Sequence, residues 1–149
     1  MDIYKKTIKK TYKAHQGFTL LELLIALVIM GILLTIAYPA YQSYLRKSRR
    51  SDALGALSQD QIILERCYSQ NFAYNAACGA LATFPQTSQQ GFYSISLSNA
   101  GATTYTLTAT PIGAQVQDTT CAVMRVNQAN VKTATDTSGN PQTVCWNPT

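Results

Sequence analysis

A single carboxylate lies at the start of a long apolar run. The residues from Leu23 to Tyr38 are almost without polar side chains, and Glu22 comes directly before them. About twenty such residues form a helix of roughly 30 Å, the thickness of the hydrocarbon core of a bilayer. A charge inside a membrane helix is costly, so Glu22 predicts a functional role with a positively charged partner. The alternative is that the Glu22 side chain reaches the nearer interface and is solvated there.

Four cysteines form a second set of reactive side chains. None of them makes a Cys-x-x-Cys pair, so neither a zinc site nor a redox motif is indicated. An even number of cysteines is typical of disulfides in an oxidising compartment. Of the three possible connectivities, we predict Cys67 with Cys78 and Cys121 with Cys145, because these pairs close local loops. Chain entropy predicts a contribution of roughly 3 kcal/mol for the shorter loop and about 3.5 kcal/mol for the longer one.

Catalytic arrangements are not indicated. The only histidine is in the basic N-terminal segment, so no Ser-His-Asp or Cys-His arrangement can form beyond it. Asp52, Asp60 and Glu65 are spread along a predicted helix rather than paired as in hydrolases. Asp118 and Asp136 are isolated acids and a weak basis for a calcium site. We therefore expect no enzymatic activity, no metal and no cofactor.

The positive charge is concentrated near the N-terminus. The chain has a formal charge of +5, and five lysines against Asp2 lie in the first seventeen residues. The remainder is nearly neutral, so the global charge does not indicate a nucleic-acid partner. Arg46, Arg49 and Arg50 are spaced to lie on one helical face. We expect that face to be solvated or to contact lipid headgroups or another subunit, and contact with DNA phosphates is the alternative.

The elements that position these residues begin with the apolar run. It is longer than a secretory signal core, and the residues around Pro39 make a poor signal cleavage site, so the run is expected to stay in the mature protein. Gly31 and Pro39 predict a kink or a locally unwound segment. Helical periodicity resumes at Tyr41 and continues to about Tyr68, with one apolar stripe that needs a covering layer.

After Tyr68 the periodicity changes from helical to alternating. Apolar residues alternate with Ser or Thr in two runs separated by turn residues, which predicts an antiparallel hairpin of Tyr93 to Leu97 and Tyr105 to Ala109. A third strand is predicted around Met124, and a short one before Trp146. Residues 73–90 and 128–142 have no clear period and are predicted to be loops. The pattern indicates an α+β domain, with a small antiparallel sheet covering the helical stripe.

The N-terminal pattern resembles the precursor of a type IV pilin. The similarity rests on the lysine-rich leader, on Gly17-Phe18-Thr19-Leu20-x-Glu22, and on the apolar helix with Gly31 and Pro39. The region from Tyr105, with Thr120-Cys121 and Cys145-Trp146, is similar to the PilE-type minor pilins. This resemblance implies the type IV pilin fold, with a C-terminal region bounded by a Cys121–Cys145 disulfide.

The resemblance also implies a route of maturation. A prepilin peptidase would cleave after Gly17, Phe18 would be N-methylated, and Glu22 would pair with the N-terminus of a neighbouring subunit. The expected divisions are a leader over 1–17, a transmembrane assembly helix over 18–39 and a globular domain over 40–149. The precursor would lie in the inner membrane of a Gram-negative bacterium, with the globular domain in the periplasm.

The function implied is that of a minor pilin in a type IV pilus at the cell surface. Its partners would be other pilin subunits in a helical filament and the inner-membrane assembly machinery. It would support pilus assembly, twitching motility, adhesion or DNA uptake. The alternatives are a pseudopilin of a type II secretion system, or a DNA-binding or host-surface-binding module carried by the pilus.

Overall fold

The computed structural model describes residues 17–74 and 83–147 of the 149-residue chain. Its first element is one long helix, α1, over Leu20–Asn71. The chain divides into two compact units between Pro39 and Ala40, and α1 contributes to both. The residues between Gly31 and Pro39 are helical throughout, so the predicted unwound segment is absent there. One proline removes only one backbone donor, and the helix continues past it. A bend at this point stays a prediction.

Five antiparallel strands form one sheet in which neighbours in sequence are neighbours in space. The strands are β1 Gln86–Thr87, β2 Tyr93–Ser98, β3 Thr106–Pro111, β4 Val123–Asn127 and β5 Lys132–Thr135. In the longest pair, Tyr93 lies opposite Pro111 and Ser98 lies opposite Thr106. The predicted hairpin and the predicted strand around Met124 are therefore confirmed.

The core lies between α1 and one face of the sheet. On the helix, Ala53, Leu57 and Leu64 are buried, and their spacing of four and seven residues places them on one face. On the strands, the buried side chains alternate with more exposed ones, as expected for a sheet with one face covered. They are Tyr93, Ile95, Leu107, Ala109, Met124 and Val126. This arrangement confirms the predicted α+β class.

The opposite face of the sheet is rich in hydroxyl groups. Ser94 lies opposite Thr110 in the β2–β3 pair, and Ser96 lies opposite Thr108. Arg125 continues the second of these rows on β4 as an exposed side chain. Since these residues alternate with the buried set, the strand pattern alone determines which side chains this face presents.

Two details of the predicted C-terminal part are wrong. Residues 128–142 contain β5, which pairs with β4 although only Ala134 of its four residues is buried. An edge strand with one buried side chain carries almost no alternating signal, and its pairing comes from backbone hydrogen bonds. The strand predicted before Trp146 is a short 3-10 helix over Thr143–Trp146. Likewise, the predicted 73–90 loop contains β1, and residues 75–82 lie outside the described part.

Candidate functional site

The N-terminal part of α1 presents an uncovered apolar surface. Its large apolar side chains, from Leu20 to Tyr38, have exposed fractions between 51% and 78%. Among the described residues, α1 is the one helix long and apolar enough to cross a membrane. Such a surface cannot remain in water, because burying it stabilises by roughly 25 cal/mol per Å² of apolar area. It therefore requires lipid or other protein around it.

Glu22 lies in the first turn of this helix. Its backbone N–H donates to the Thr19 hydroxyl oxygen at 3.2 Å, which caps the helix start. Its carboxylate is exposed and has no ion-pair partner in the part of the chain that the structure describes. Gly17 and Phe18 precede the helix, and Phe18 is 85% exposed. The structure thus places an unpaired acid next to the predicted processing point.

The predicted basic face is interrupted by a buried ion pair. Arg50 Nε donates to Asp118 Oδ2 at 2.7 Å, and Arg50 Nη2 donates to Asp118 Oδ1 at 2.8 Å. The two side chains are only 6% and 3% exposed. Most of the Arg50 side chain is therefore covered and held by Asp118 rather than solvated, which corrects the predicted solvated face at this residue. Its neighbour Arg49 lies over the Phe92 ring, with 4.5 Å between Cζ and the ring centroid.

A buried polar network surrounds this ion pair. Gln115 Nε2 lies 3.0 Å from the Arg46 carbonyl oxygen, 3.0 Å from Tyr93 Oη and 3.2 Å from Asp118 Oδ2. Gln115 and Tyr93 are fully buried. Burial raises the pKa of Tyr93 to about 12, against a smaller lowering effect of the hydrogen bond with Gln115. The network fastens α1 to the segment after β3.

Two further buried acids hold the region around β1. Asp52 accepts hydrogen bonds from Ser88 Oγ at 2.5 Å and from the Gln90 backbone N–H at 3.0 Å. Asp60 accepts from Gln86 Nε2 at 2.6 Å, and burial raises the pKa of its carboxyl group. The sequence did not indicate these roles. Both acids lie in a helix with amphipathic periodicity, so either side chain could equally have faced solvent.

The surface of the globular part is more basic than its sequence suggests. From Ala40 onward, the cations that are at least partly exposed number six: Arg46, Lys47, Arg49, Arg66, Arg125 and Lys132. Three acids, Asp52, Asp60 and Asp118, are buried, which leaves two, Glu65 and Asp136, nearer to solvent. The near-neutral formal charge therefore conceals a positive surface.

The C-terminal disulfide is present as predicted. Cys121 and Cys145 are bonded, with 5.7 Å between their Cα atoms, and both are fully buried. Their bond excludes the connectivities in which Cys67 joins either of them. Cys67 is not a free thiol, but Cys78 lies outside the described residues, so the Cys67–Cys78 pairing stays a prediction.

The isolated acids considered for calcium are engaged within the protein. Asp118 accepts hydrogen bonds from Arg50. Asp136 accepts from the side chain and backbone N–H of Asn140 and from the backbone N–H of Ser138, and these bonds lower the pKa of its carboxyl group. Within residues 17–74 and 83–147, no three His, Cys, Asp or Glu side chains group to hold a metal ion.

Comparison with known proteins identifies the family. The family model described as type IV minor pilin ComP, DNA uptake sequence receptor, matches residues 39–125, more than half of the chain. A second model, the prokaryotic N-terminal methylation motif, matches residues 12–38. The first match covers most of the globular part, up to residue 125, and the second covers the apolar segment.

Individual relatives agree with this result. The chain is 32% identical over 114 residues to the fimbrial protein EcpC of Eikenella corrodens, covering 74% of each protein. It is 51% identical over 45 residues to fimbrial protein Q of Moraxella bovis, but this match covers only 29% of that protein.

A solved structure shows the same fold. The non-core minor pilin PilV of Neisseria meningitidis superposes with a TM-score of 0.53 at 22% identity, covering 68% of this chain and 97% of PilV. The long helix and the antiparallel sheet correspond to that fold. The chain belongs to the type IV minor pilin family.

Proposed function

We propose that this protein is a minor subunit of a type IV pilus and enters the filament through the N-terminal part of α1. The observation that carries the proposal is the exposed apolar segment with an unpaired carboxylate, Glu22, in its first turn. In the precursor, lipid would surround this segment. In the filament, the corresponding helices of other subunits would replace the lipid. The proposed role is structural rather than enzymatic.

Maturation would create the partner of Glu22. Cleavage after Gly17 by a prepilin peptidase gives a new positively charged amine at Phe18, which is then N-methylated. The lysine-rich leader favours a cytoplasmic N-terminus, and the Cys121–Cys145 disulfide favours an oxidising compartment for the globular part, which would be the periplasm. The inner-membrane assembly machinery would then move the subunit into the pilus.

The Glu22 carboxylate would set the register of the subunit. A carboxylate and an ammonium group buried together offset much of each other's desolvation cost, whereas a displaced subunit leaves both unpaired. Removing one member of such a pair costs roughly 3 to 5 kcal/mol in a buried site. This penalty would favour a subunit whose N-terminus lies beside Glu22 of its neighbour.

The Glu22→Ala variant tests this role. We expect it to be processed and inserted in the membrane like the wild type, but to be absent from sheared pili by immunoblot. Thr35→Ala is the matched control, because it removes a polar group from the same exposed segment without removing a charge. The control should enter pili normally. Normal incorporation of Glu22→Ala would contradict the proposal.

A second candidate function is DNA binding by the globular part. It is favoured by the printed description of the matched family, a DNA uptake sequence receptor, and by six accessible cations against two accessible acids. Binding through phosphates would weaken steeply with salt, and each cation removed from the contact would lower the salt slope by about 1. Titration of the full chain with duplex DNA between low and moderate salt tests this function, and the absence of salt-sensitive DNA binding would exclude it.

A separate experiment is needed to identify the cellular process that the protein serves and to distinguish a minor pilin from a pseudopilin or a host-surface module. Deletion of a pseudopilin would leave pilus number, twitching motility, adhesion and DNA uptake unchanged, while deletion of a minor pilin would alter at least one of these four. Scoring pilus number, twitching motility, adhesion and DNA uptake in one deletion strain separates these roles. Loss of adhesion with normal pilus number would favour a host-surface module.

A further inference from the structure

A basic cavity lies within the globular part, on the first turns of its helix. It has a volume of about 350 Å³, near the lower end of the range of small-ligand sites. One wall is a single face of α1, with Ser43, Arg46, Lys47 and Arg50 at successive intervals of three, one and three residues. The other wall is the segment Gln117 to Thr120.

The charge of this cavity is uncompensated. Asp118 is its one acidic lining residue, and both of its carboxylate oxygens accept hydrogen bonds from Arg50. Neither the Arg46 guanidinium nor the Lys47 ammonium has a hydrogen-bond or ion-pair partner in the described chain. The cavity therefore has two positive charges without a counterion.

Arg50 provides a further donor that points to a ligand. It is buried, and two of its three guanidinium nitrogens donate to Asp118. Its third nitrogen, Nη1, has no acceptor among residues 17–74 and 83–147, although the side chain lines the cavity. This nitrogen is not one of the enclosed polar atoms of the described chain, so water can reach it and an anion in the cavity would replace that water as its acceptor.

We propose that this cavity binds a phosphate group, carried by an anionic phospholipid headgroup or present as free phosphate. Guanidinium groups bind phosphate oxygens through paired hydrogen bonds, and the Ser43, Thr119 and Thr120 hydroxyls are suitable additional donors. The proposed membrane-anchored precursor would supply the lipid source. In the sequence, only seven residues separate Arg46 from the apolar segment, so an anionic headgroup is a ligand available to this part of the chain.

Calorimetric titration of the full chain in neutral detergent tests the proposal. The probes are short-chain phosphatidylglycerol, short-chain phosphatidylcholine as the uncharged lipid control, and inorganic phosphate. We expect saturable binding of phosphatidylglycerol or phosphate, weakened at least about tenfold by Arg46→Ala and by Lys47→Ala. Arg125→Ala, which removes an exposed cation outside the cavity, should bind as the wild type does.

The outcomes separate the sources. Binding of phosphatidylglycerol without binding of inorganic phosphate assigns the site to a lipid headgroup, and competition by inorganic phosphate assigns it to free phosphate. No binding of either probe, or equal weakening in Arg125→Ala, overturns the proposal. A loss of duplex DNA binding alone in the cavity variants also overturns it, in favour of a nucleic-acid surface. Since the test needs no filament, its result is independent of the Glu22 experiment.

Discussion

At the scale of single residues, the globular part is organised by buried acids. Asp52, Asp60 and Asp118 each lie under the surface, and each accepts hydrogen bonds from a segment distant in sequence. Only Asp118 has a cationic partner, Arg50, within the described residues. Burial of these acids both fixes the connections of the sheet to α1 and leaves the surface with an excess of positive charge.

The Arg50–Asp118 pair gives a prediction of stability. Arg50→Ala leaves a buried carboxylate without its cation, so we expect the free energy of unfolding to fall by roughly 3 to 5 kcal/mol. The single tryptophan, Trp146, provides the fluorescence signal for urea unfolding of the full chain in detergent. Arg66→Ala, an exposed arginine of the same helix, is the control and should change the value by less than about 0.5 kcal/mol. Equal effects of the two variants would show that the ion pair does not stabilise the fold.

Tyr93 gives a prediction of pH dependence. Because burial raises the pKa of Tyr93 to about 12 from 10.0, the phenol is neutral in the folded chain at pH values where it ionises in the unfolded chain. Its contribution is fully present below pH 10 and is lost as the pH rises towards 12, a loss of about 3 kcal/mol. Unfolding free energies between pH 9 and pH 12 should fall less steeply for Tyr93→Phe than for the wild type. The exposed control, Tyr44→Phe, should retain the wild-type slope, and a wild-type slope in Tyr93→Phe would contradict the assignment.

The residue scale is also where sequence reasoning was least complete. The helical spacing correctly places Arg46 and Arg50 on a common wall of one cavity. Helical spacing could not reveal that Arg50 is buried, because the Asp118 partner of Arg50 lies 68 residues further along the chain, outside α1. Spacing along a helix gives the direction of a side chain, and only the tertiary packing decides what covers it.

At the scale of elements, α1 has two apolar surfaces with different partners. From Ala53 to Leu64, an apolar stripe is covered by the sheet. From Leu20 to Tyr38, the apolar side chains are exposed around the whole helix. Both surfaces could be predicted from sequence, since the first has helical periodicity and the second is a continuous apolar run. The hairpin of β2 and β3 was equally predictable from its alternation.

Two short strands, β1 and β5, could not be predicted from the sequence, and the reason is physical. The two-residue strand β1 and the edge strand β5 bury few apolar side chains, so their sequences carry little alternation. Their positions follow from hydrogen bonds to β2 and β4, which exist only after the central strands have formed. The side-chain bond between Asp60 and Gln86 adds a further tertiary constraint on β1.

A pair of substitutions on α1 tests the assignment of its covered stripe. Leu64 is fully buried and Ile62, two residues earlier, is 62% exposed. Leu64→Ala should lower the free energy of unfolding by about 2 to 5 kcal/mol, because it removes apolar contact and leaves a cavity. Ile62→Ala should change it by less than about 0.5 kcal/mol in the same urea titration. A larger effect at Ile62 would mean that the stripe has been assigned to the wrong face.

At the scale of the whole molecule, the protein combines a globular part that has a buried core with a helical segment whose apolar side chains are exposed. In the globular part, the apolar stripe of α1 and one face of the sheet bury each other, and the Cys121–Cys145 bond lies within that core. The segment from Leu20 to Tyr38 has no such cover in the described chain, and Glu22 has no counterion there. Membership of the type IV minor pilin family indicates that other pilin subunits provide the cover.

Mass spectrometry of this protein in sheared pili tests that account most directly. We predict a mature chain that begins at N-methylated Phe18, lacks residues 1–17 and retains the apolar segment through Tyr38. This result would place the required amine and the required helix together in the filament. A filament-associated chain that keeps Met1, or one that has lost the apolar segment, would contradict the account.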